Sequence, residues 1–185
     1  MAEALYKHEI IRKILSDGKV EKPYTWYDEE WNIPCKMMTD YEKNTAEGLY
    51  CIDDKTTSIM DRVISHIDKN SFHYDVGFYS RGIKAKYGLP LAKFIFIFQS
   101  TGEGEENNIR IKVVEGCQLE ACEIETNRVV REIVPRLRAW QDDQTKAPQY
   151  RDIIDKIWLP EVTAETWEVS PWFDRKIAEN IQEEK

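Results

Sequence analysis

Apolar residues recur at helical spacing over 3–16, where Leu5, Ile10, Ile11, Ile14 and Leu15 share a side and Gly18 follows as a stop. Over 22–27 the aromatic and β-branched run KPYTWY predicts a strand. The polar DEEWN stretch at 28–32 predicts a turn, and 34–41 a second strand, which makes a hairpin. A polar turn over 42–48 leads to a short third strand over 49–53, ending in Asp-Lys-Thr-Thr. Ile59, Val63, Ile64 and Ile67 predict a helix over 59–68. A further helix over 71–86 places Phe72, Asp75, Val76 and Tyr79 on one face. The almost continuously apolar LAKFIFIFQ at 91–99 predicts a strand buried on both faces. After the turn GEGEEN, 109–114 alternates like a half-buried strand. Helical spacing returns over 126–142, although Pro135 must kink or split that helix. Residues 143–185 carry helical patches and Trp158, Trp167 and Trp172, and read as a wrapping around the core.

The order α-β-β-β-α-α-β-β-α implies an α/β domain in which helices flank one mixed sheet. No repeat appears, and no linker rich in Gly, Pro or Ser divides the chain, so we expect a single domain over 1–160 and an extension over 161–185 that is partly helical or disordered. The 185 residues, 42% hydrophobic and 11% aromatic, suffice for one real core. No apolar run approaches the roughly 20 residues that span a bilayer, and the start MAEALYKHEIIRK lacks a signal-peptide stretch. The expected location is therefore the cytoplasm, away from membranes. Cys35, Cys51, Cys117 and Cys122 lack CxxC spacing and read as free thiols. A net charge of −8 argues against a surface that coats nucleic acid, yet leaves room for one basic channel.

The pattern that carries chemistry is Asp40 on one strand and Asp53-Asp54-Lys55 on the next. Adjacent strands deliver two carboxylates to one sheet end, and alternation puts Asp53 and Lys55 on the same side. Mg²⁺ is held by one or two carboxylates plus waters and phosphate oxygens. Such an ion acidifies a bound water and shields phosphate charge, while a lysine beside it orients that water or stabilises developing charge. Charged residues make up 32% of the chain, so the spacing alone is weak and reads more readily as surface charge at strand ends.

The wider run WNIPCKMMTDYE…GLYCIDDKTT…FHYDVGFYSRGI resembles the RecE-type (exonuclease VIII-like) branch of the PD-(D/E)XK nucleases of phages and prophages. The matching positions are Pro34-Cys35-Lys36 with Asp40, then Asp53-Asp54-Lys55-Thr56-Thr57, and Asp75 with Tyr79 where the branch carries Q-x-x-x-Y. The likeness covers about residues 4 to 160. It implies a restriction-endonuclease-like fold and a Mg²⁺-dependent exonuclease (Mn²⁺ substituting) that acts on double-stranded DNA ends in phage recombination. Asp40 and Asp53 would be metal ligands and Lys55 the catalytic lysine, with Lys36, Thr56, Asp75 and Tyr79 binding DNA or supporting the site. A homo-oligomer around DNA and a single-strand annealing protein are the partners it implies. Members also carry an earlier helix whose His or Glu completes the metal site, so the chain reads as shortened at its N-terminus. Aspartate at position 75 lacks the amide of the usual glutamine. Asp75 either substitutes for the missing ligand or marks a nuclease fold without turnover that binds DNA or a phage or host protein. A related endonuclease is a third reading.

Several other residues carry paired readings. His8 in the first helix reads as packed or solvent-facing rather than as a ligand. His66 and His73 are helix-end residues or acid–base candidates, and Arg62 and Arg81 are solvated charges or phosphate contacts. Tyr24, Trp26, Tyr27 and Trp31 are hairpin packing or a base-stacking wedge. Arg128, Arg131, Arg136 and Arg138 are a phosphate rail or the polar face of a helix.

Overall fold

The computed structural model describes residues 8–58, 60, 63, 67, 70–102 and 108–142. Among these residues eight elements follow in order: α1 (Glu9–Ile14), β1 (Lys19–Asp28), β2 (Ile33–Thr45), β3 (Gly48–Thr57), α2 (His73–Tyr87), β4 (Leu91–Ser100), β5 (Ile109–Glu115) and α3 (Cys117–Asp142). The strands form one sheet in the order β1-β2-β3-β4-β5. Only β3 and β4 are parallel, and the crossover between them carries α2, as a parallel pair requires. This is the expected α/β domain with a mixed sheet flanked by helices.

The apolar run of β4 divides by strict alternation. Phe94, Phe96 and Phe98 enter a core under α2 and α3 with Val76, Ile83, Leu119 and Cys122. Ile95 and Ile97 point the other way, into a smaller core with Ile11 and Ile14 of α1. Each such side chain contributes about 1.5–3 kcal/mol of burial, so the sheet is clamped from both faces. α2 lies close against α3 at Gly77, where an added Cβ would stand 2.2 Å from Thr126 Oγ1 and 2.4 Å from the Cys122 carbonyl oxygen.

Several boundaries move from the sequence expectation. The polar 42–48 segment is mostly strand, because the Glu42 carboxylate is buried and accepts hydrogen bonds from Tyr24 and Thr39. β3 runs on through Thr57, so Asp53 and Lys55 lie within the strand rather than at its end. α3 starts at Cys117, directly after Gly116 turns the chain at φ 56°, and it continues past Pro135 as one helix. Gly18 is needed for space, not for helix ending: the Tyr41 ring would meet its Cβ at 2.2 Å, and Asp17 takes the left-handed turn at φ 59°. All four cysteines are free, as expected. Val63 and Ile67 are helical and buried, while most of the 59–68 helix and all of 143–185 lie outside the described residues. Among the described residues no helix is long and apolar enough to cross a membrane.

Candidate active site at the fork of β2 and β3

The ladder between β2 and β3 runs from the Thr45–Gly48 rung to the Tyr41–Ile52 rung and stops. Both strands continue beyond it. β2 follows β1 back to Ile33, and β3 follows β4 out to Thr57. The sheet therefore forks, and Asp40 and Asp53 are the first residues past the last shared rung. Asp40 replaces the missing ladder bond with its side chain, since Oδ2 accepts the Asp54 backbone N–H at 3.0 Å. A fixed carboxylate thus stands at the root of the fork.

Asp53 and Lys55 project from β3 toward α2. Asp53 is 5% exposed, and the Lys55 Nζ stands 2.8 Å from its Oδ2 and 3.5 Å from Asp75 Oδ2 on the first turn of α2. The ammonium also lies 4.7 Å from the centre of the Phe72 ring. Burial pushes the Asp53 carboxyl up to about 7, and the Asp40 carboxylate adds to that against the pull of Lys55. Burial also raises Asp75, with Lys55 opposing. Burial would pull the Lys55 ammonium down, but Asp53, Asp75 and Asp40 outweigh it and hold the group charged. Tyr79, one turn along α2 from Asp75, donates to the Met38 carbonyl oxygen at 3.1 Å. Its ring packs on Phe94, so it ties the free arm of β2 to α2 and the core. Asp40 also borders a cavity of about 310 Å³ on the α1 face, where Asp17 and Asp54 stand above Tyr41, Ile52 and Ile97.

The donor set fits a hard divalent cation. Asp53 Oδ2 is buried, and although Lys55 approaches it, it has no aligned hydrogen-bond partner. Two carboxylates crowded at one point favour a cation between them, and Mg²⁺ takes one or two carboxylates with water and phosphate completing its shell. Among the described residues no three His, Cys, Asp or Glu side chains group in a way that could hold an ion without such help.

Of the predicted residues, Asp40, Asp53, Lys55, Asp75 and Tyr79 gather at the fork. Asp75 approaches Lys55 in the described geometry. Thr56 is exposed on the opposite side of β3, and Lys36 is exposed on the outer side of β2. His8 is exposed at the start of α1, which packs on the far face of the sheet. His73 is 2% exposed and stacks near Tyr74 with ring centres 4.0 Å apart, so it is a core histidine; His66 and Arg62 lie outside the described residues. Tyr24 and Trp31 are buried and Trp26 is packed against the core, whereas the Tyr27 ring is 58% exposed. The arginines are engaged internally: Arg81 forks onto Asp28 and Glu30, Arg128 pairs with Glu125 and Glu132, Arg131 pairs with Glu30, and Arg138 donates to the Asn32 carbonyl. Sequence reasoning missed the Asp54 N–H, the Phe72 ring beside Lys55 and the Arg81–Asp28 pair. None leaves a spacing signal, because each contact joins elements far apart in the chain.

No family model matches the chain, and no curated protein matches it. Among solved structures, a protein called "Putative exonuclease" from Eubacterium rectale superposes with a TM-score of 0.59 at 14% identity, over 85% of this chain. This chain spans 58% of that protein's length. The crystal structure of SSO0001 aligns at a TM-score of 0.43 and 12% identity, over 86% of this chain and 68% of the other, too loosely to carry an argument. The chain therefore has the α/β fold of a protein named as an exonuclease, with a mixed sheet and flanking helices.

Proposed function

We propose that this protein is a metal-dependent deoxyribonuclease that hydrolyses DNA phosphodiesters at the fork, in the manner of exonuclease VIII, removing one strand from double-stranded ends during recombination. The observation that carries the reading is the convergence of Asp40, Asp53 and Lys55 where β2 and β3 part. Asp40 and Asp53 would hold Mg²⁺ or Mn²⁺, which when bound acidifies a water and shields phosphate charge. Lys55, kept cationic by its three carboxylate neighbours, stabilises the charge that builds on the phosphate oxygens. Asp75 holds the ammonium from the α2 side, and Tyr79 fixes the arm of β2 that leads to Asp40. A homo-oligomer encircling the duplex and an annealing protein that takes up the product strand complete the proposal.

The test is cleavage of linear and circular duplex DNA with Mg²⁺ or Mn²⁺, comparing wild type with Lys55→Ala and Asp53→Ala. Degradation of linear DNA alone, reduced by about 10²–10³ in each variant, is the expected result. Cutting of circles would make it an endonuclease instead. A second reading is a nuclease fold that binds DNA or a protein without turnover. It is favoured by Lys55 lying closed between Asp53 and Asp75, and by the lack of a third ligand among the described residues. Absence of cleavage with either metal would select it.

A further inference from the structure

Past the fork, β1 and β2 continue as a two-stranded ribbon. Its inner face packs Tyr24, Trp26, Cys35 and Met37 toward α2. Its outer face runs over the rungs Pro23–Met38, Thr25–Lys36 and Tyr27–Pro34, and all six side chains are exposed. No carboxylate stands on these rungs, in a protein whose net charge is −8. Lys36 makes no ion pair or hydrogen bond among the described residues, unlike Arg81, Arg128 and Arg131.

The ring of Tyr27 is held in place. Its hydroxyl donates to Asn32 Oδ1 across the turn, and Arg138 of α3 donates to the Asn32 carbonyl at 2.8 Å. Asp28 accepts the Trp31 N–H at 2.9 Å and is itself gripped by Arg81. The hydroxyl bond to the turn restricts the rotamers of an aromatic with 58% of its surface in solvent, which lowers the ordering cost of stacking. Met38 is 52% exposed two rungs nearer the fork, and Asp40 follows it on the same strand.

We propose that this outer face binds an unpaired DNA strand and leads it to the fork, with Tyr27 stacking on a base, Lys36 meeting a phosphate and Met38 packing on the next base. The proposal rests on the nuclease reading of the fork and adds the form of DNA that approaches it. An unpaired strand suits the chemistry because a π-face and one cation are the recognition elements, and a duplex presents neither free base faces nor so small a charge demand. Six residue steps from Pro34 to Asp40 at about 3.3 Å each give about 20 Å, or about six nucleotides at the 3.4 Å spacing of one stacked strand.

The experiment is fluorescence anisotropy of labelled oligothymidine in EDTA, so that binding is read without cleavage. Wild type is compared with Tyr27→Ala, Tyr27→Trp and Lys36→Ala. Tyr27→Ala should bind about tenfold more weakly, and Tyr27→Trp at least as well as wild type. Lys36→Ala should flatten the salt dependence of log K by about one unit. An abasic strand of equal length should bind wild type as weakly as oligothymidine binds Tyr27→Ala, and a blunt duplex more weakly than the single strand. Absence of binding by wild type, or Tyr27→Ala and Lys36→Ala both binding like wild type, would overturn the proposal. Loss of strand binding in these variants from a wild type that never cuts DNA would instead reject the nuclease reading and keep the strand-binding face.

Discussion

The carboxylate of Asp40 accepts the backbone N–H of Asp54 at 3.0 Å, one residue beyond the rung where β2 and β3 last pair. That bond substitutes for a missing backbone contact and brings one strand's acid beside the other strand's Asp53. Ordinary ladder pairing there would bind the two strands to each other and close the fork.

Metal titration separates the carboxylates. Asp53→Asn should weaken Mn²⁺ binding by more than about tenfold, since it removes charge from a buried carboxylate at the fork. Asp75→Asn should shift it less than about threefold, because Asp75 meets Lys55. Equal losses measured by calorimetry would mean that Asp75 is itself a ligand.

Tyr79→Phe keeps the ring on Phe94 and removes only the hydrogen bond to the Met38 carbonyl. Chemical denaturation should show a loss of about 1 kcal/mol. DNA cleavage should fall by more than that change in folded fraction explains, because the β2 arm carrying Asp40 loses its tie to α2. Unaltered cleavage would reduce Tyr79 to a packing residue.

Burial holds His73 at about 4, below its ordinary 6.5. Between these values the unfolded chain binds more protons than the folded one, so this histidine's contribution is complete above pH 6.5 and is lost as pH falls toward 4. The loss amounts to about 3 kcal/mol. Asp53, raised from 3.8 to about 7, acts in the opposite sense across that whole range. The measurement is therefore the difference between wild type and His73→Phe in urea unfolding at pH 7 and pH 4.5. The difference should move in favour of the variant at the lower pH, and a constant difference would refute the assignment.

Asp28→Asn keeps an oxygen for the Trp31 N–H but removes the charge that holds Arg81. Asp28 is 5% exposed, whereas the Arg81 side chain is 24% exposed and can reach solvent. The cost should be about 2–3 kcal/mol, below that of breaking a fully buried pair. Thermal unfolding of Asp28→Asn, Arg81→Met and the double variant should show strong non-additivity, and simple addition would place the two residues in separate interactions.

Much of the fold was legible along the chain. All five strands were anticipated, 22–27 from its aromatic and β-branched residues, 91–99 from its continuous apolar run and 109–114 from alternation, and the period of 3.6 located α2. The buried β4 was recognisable because its two faces are apolar for separate reasons, Phe toward α2 and α3 and Ile toward α1. The start of α3 was not, since Leu119 and Cys122 pack under α2 rather than continuing a visible stripe. The extent of β2 was also hidden, because Glu42 reads as a turn residue until Tyr24 and Thr39 bury it.

For the candidate site the division is similar. Local order determined that Asp53 and Lys55 share a side of one strand, because side chains alternate with period two whatever surrounds them. It also put Asp75 and Tyr79 on one helix face. Only the tertiary structure decided that β2 and β3 part at Asp40, that Lys55 stands between Asp53 and Asp75, and that Arg81 and the α3 arginines are held by carboxylates or the hairpin turn. These outcomes depend on where a ladder stops and which distant charge comes near, and no spacing along the chain encodes such through-space energies.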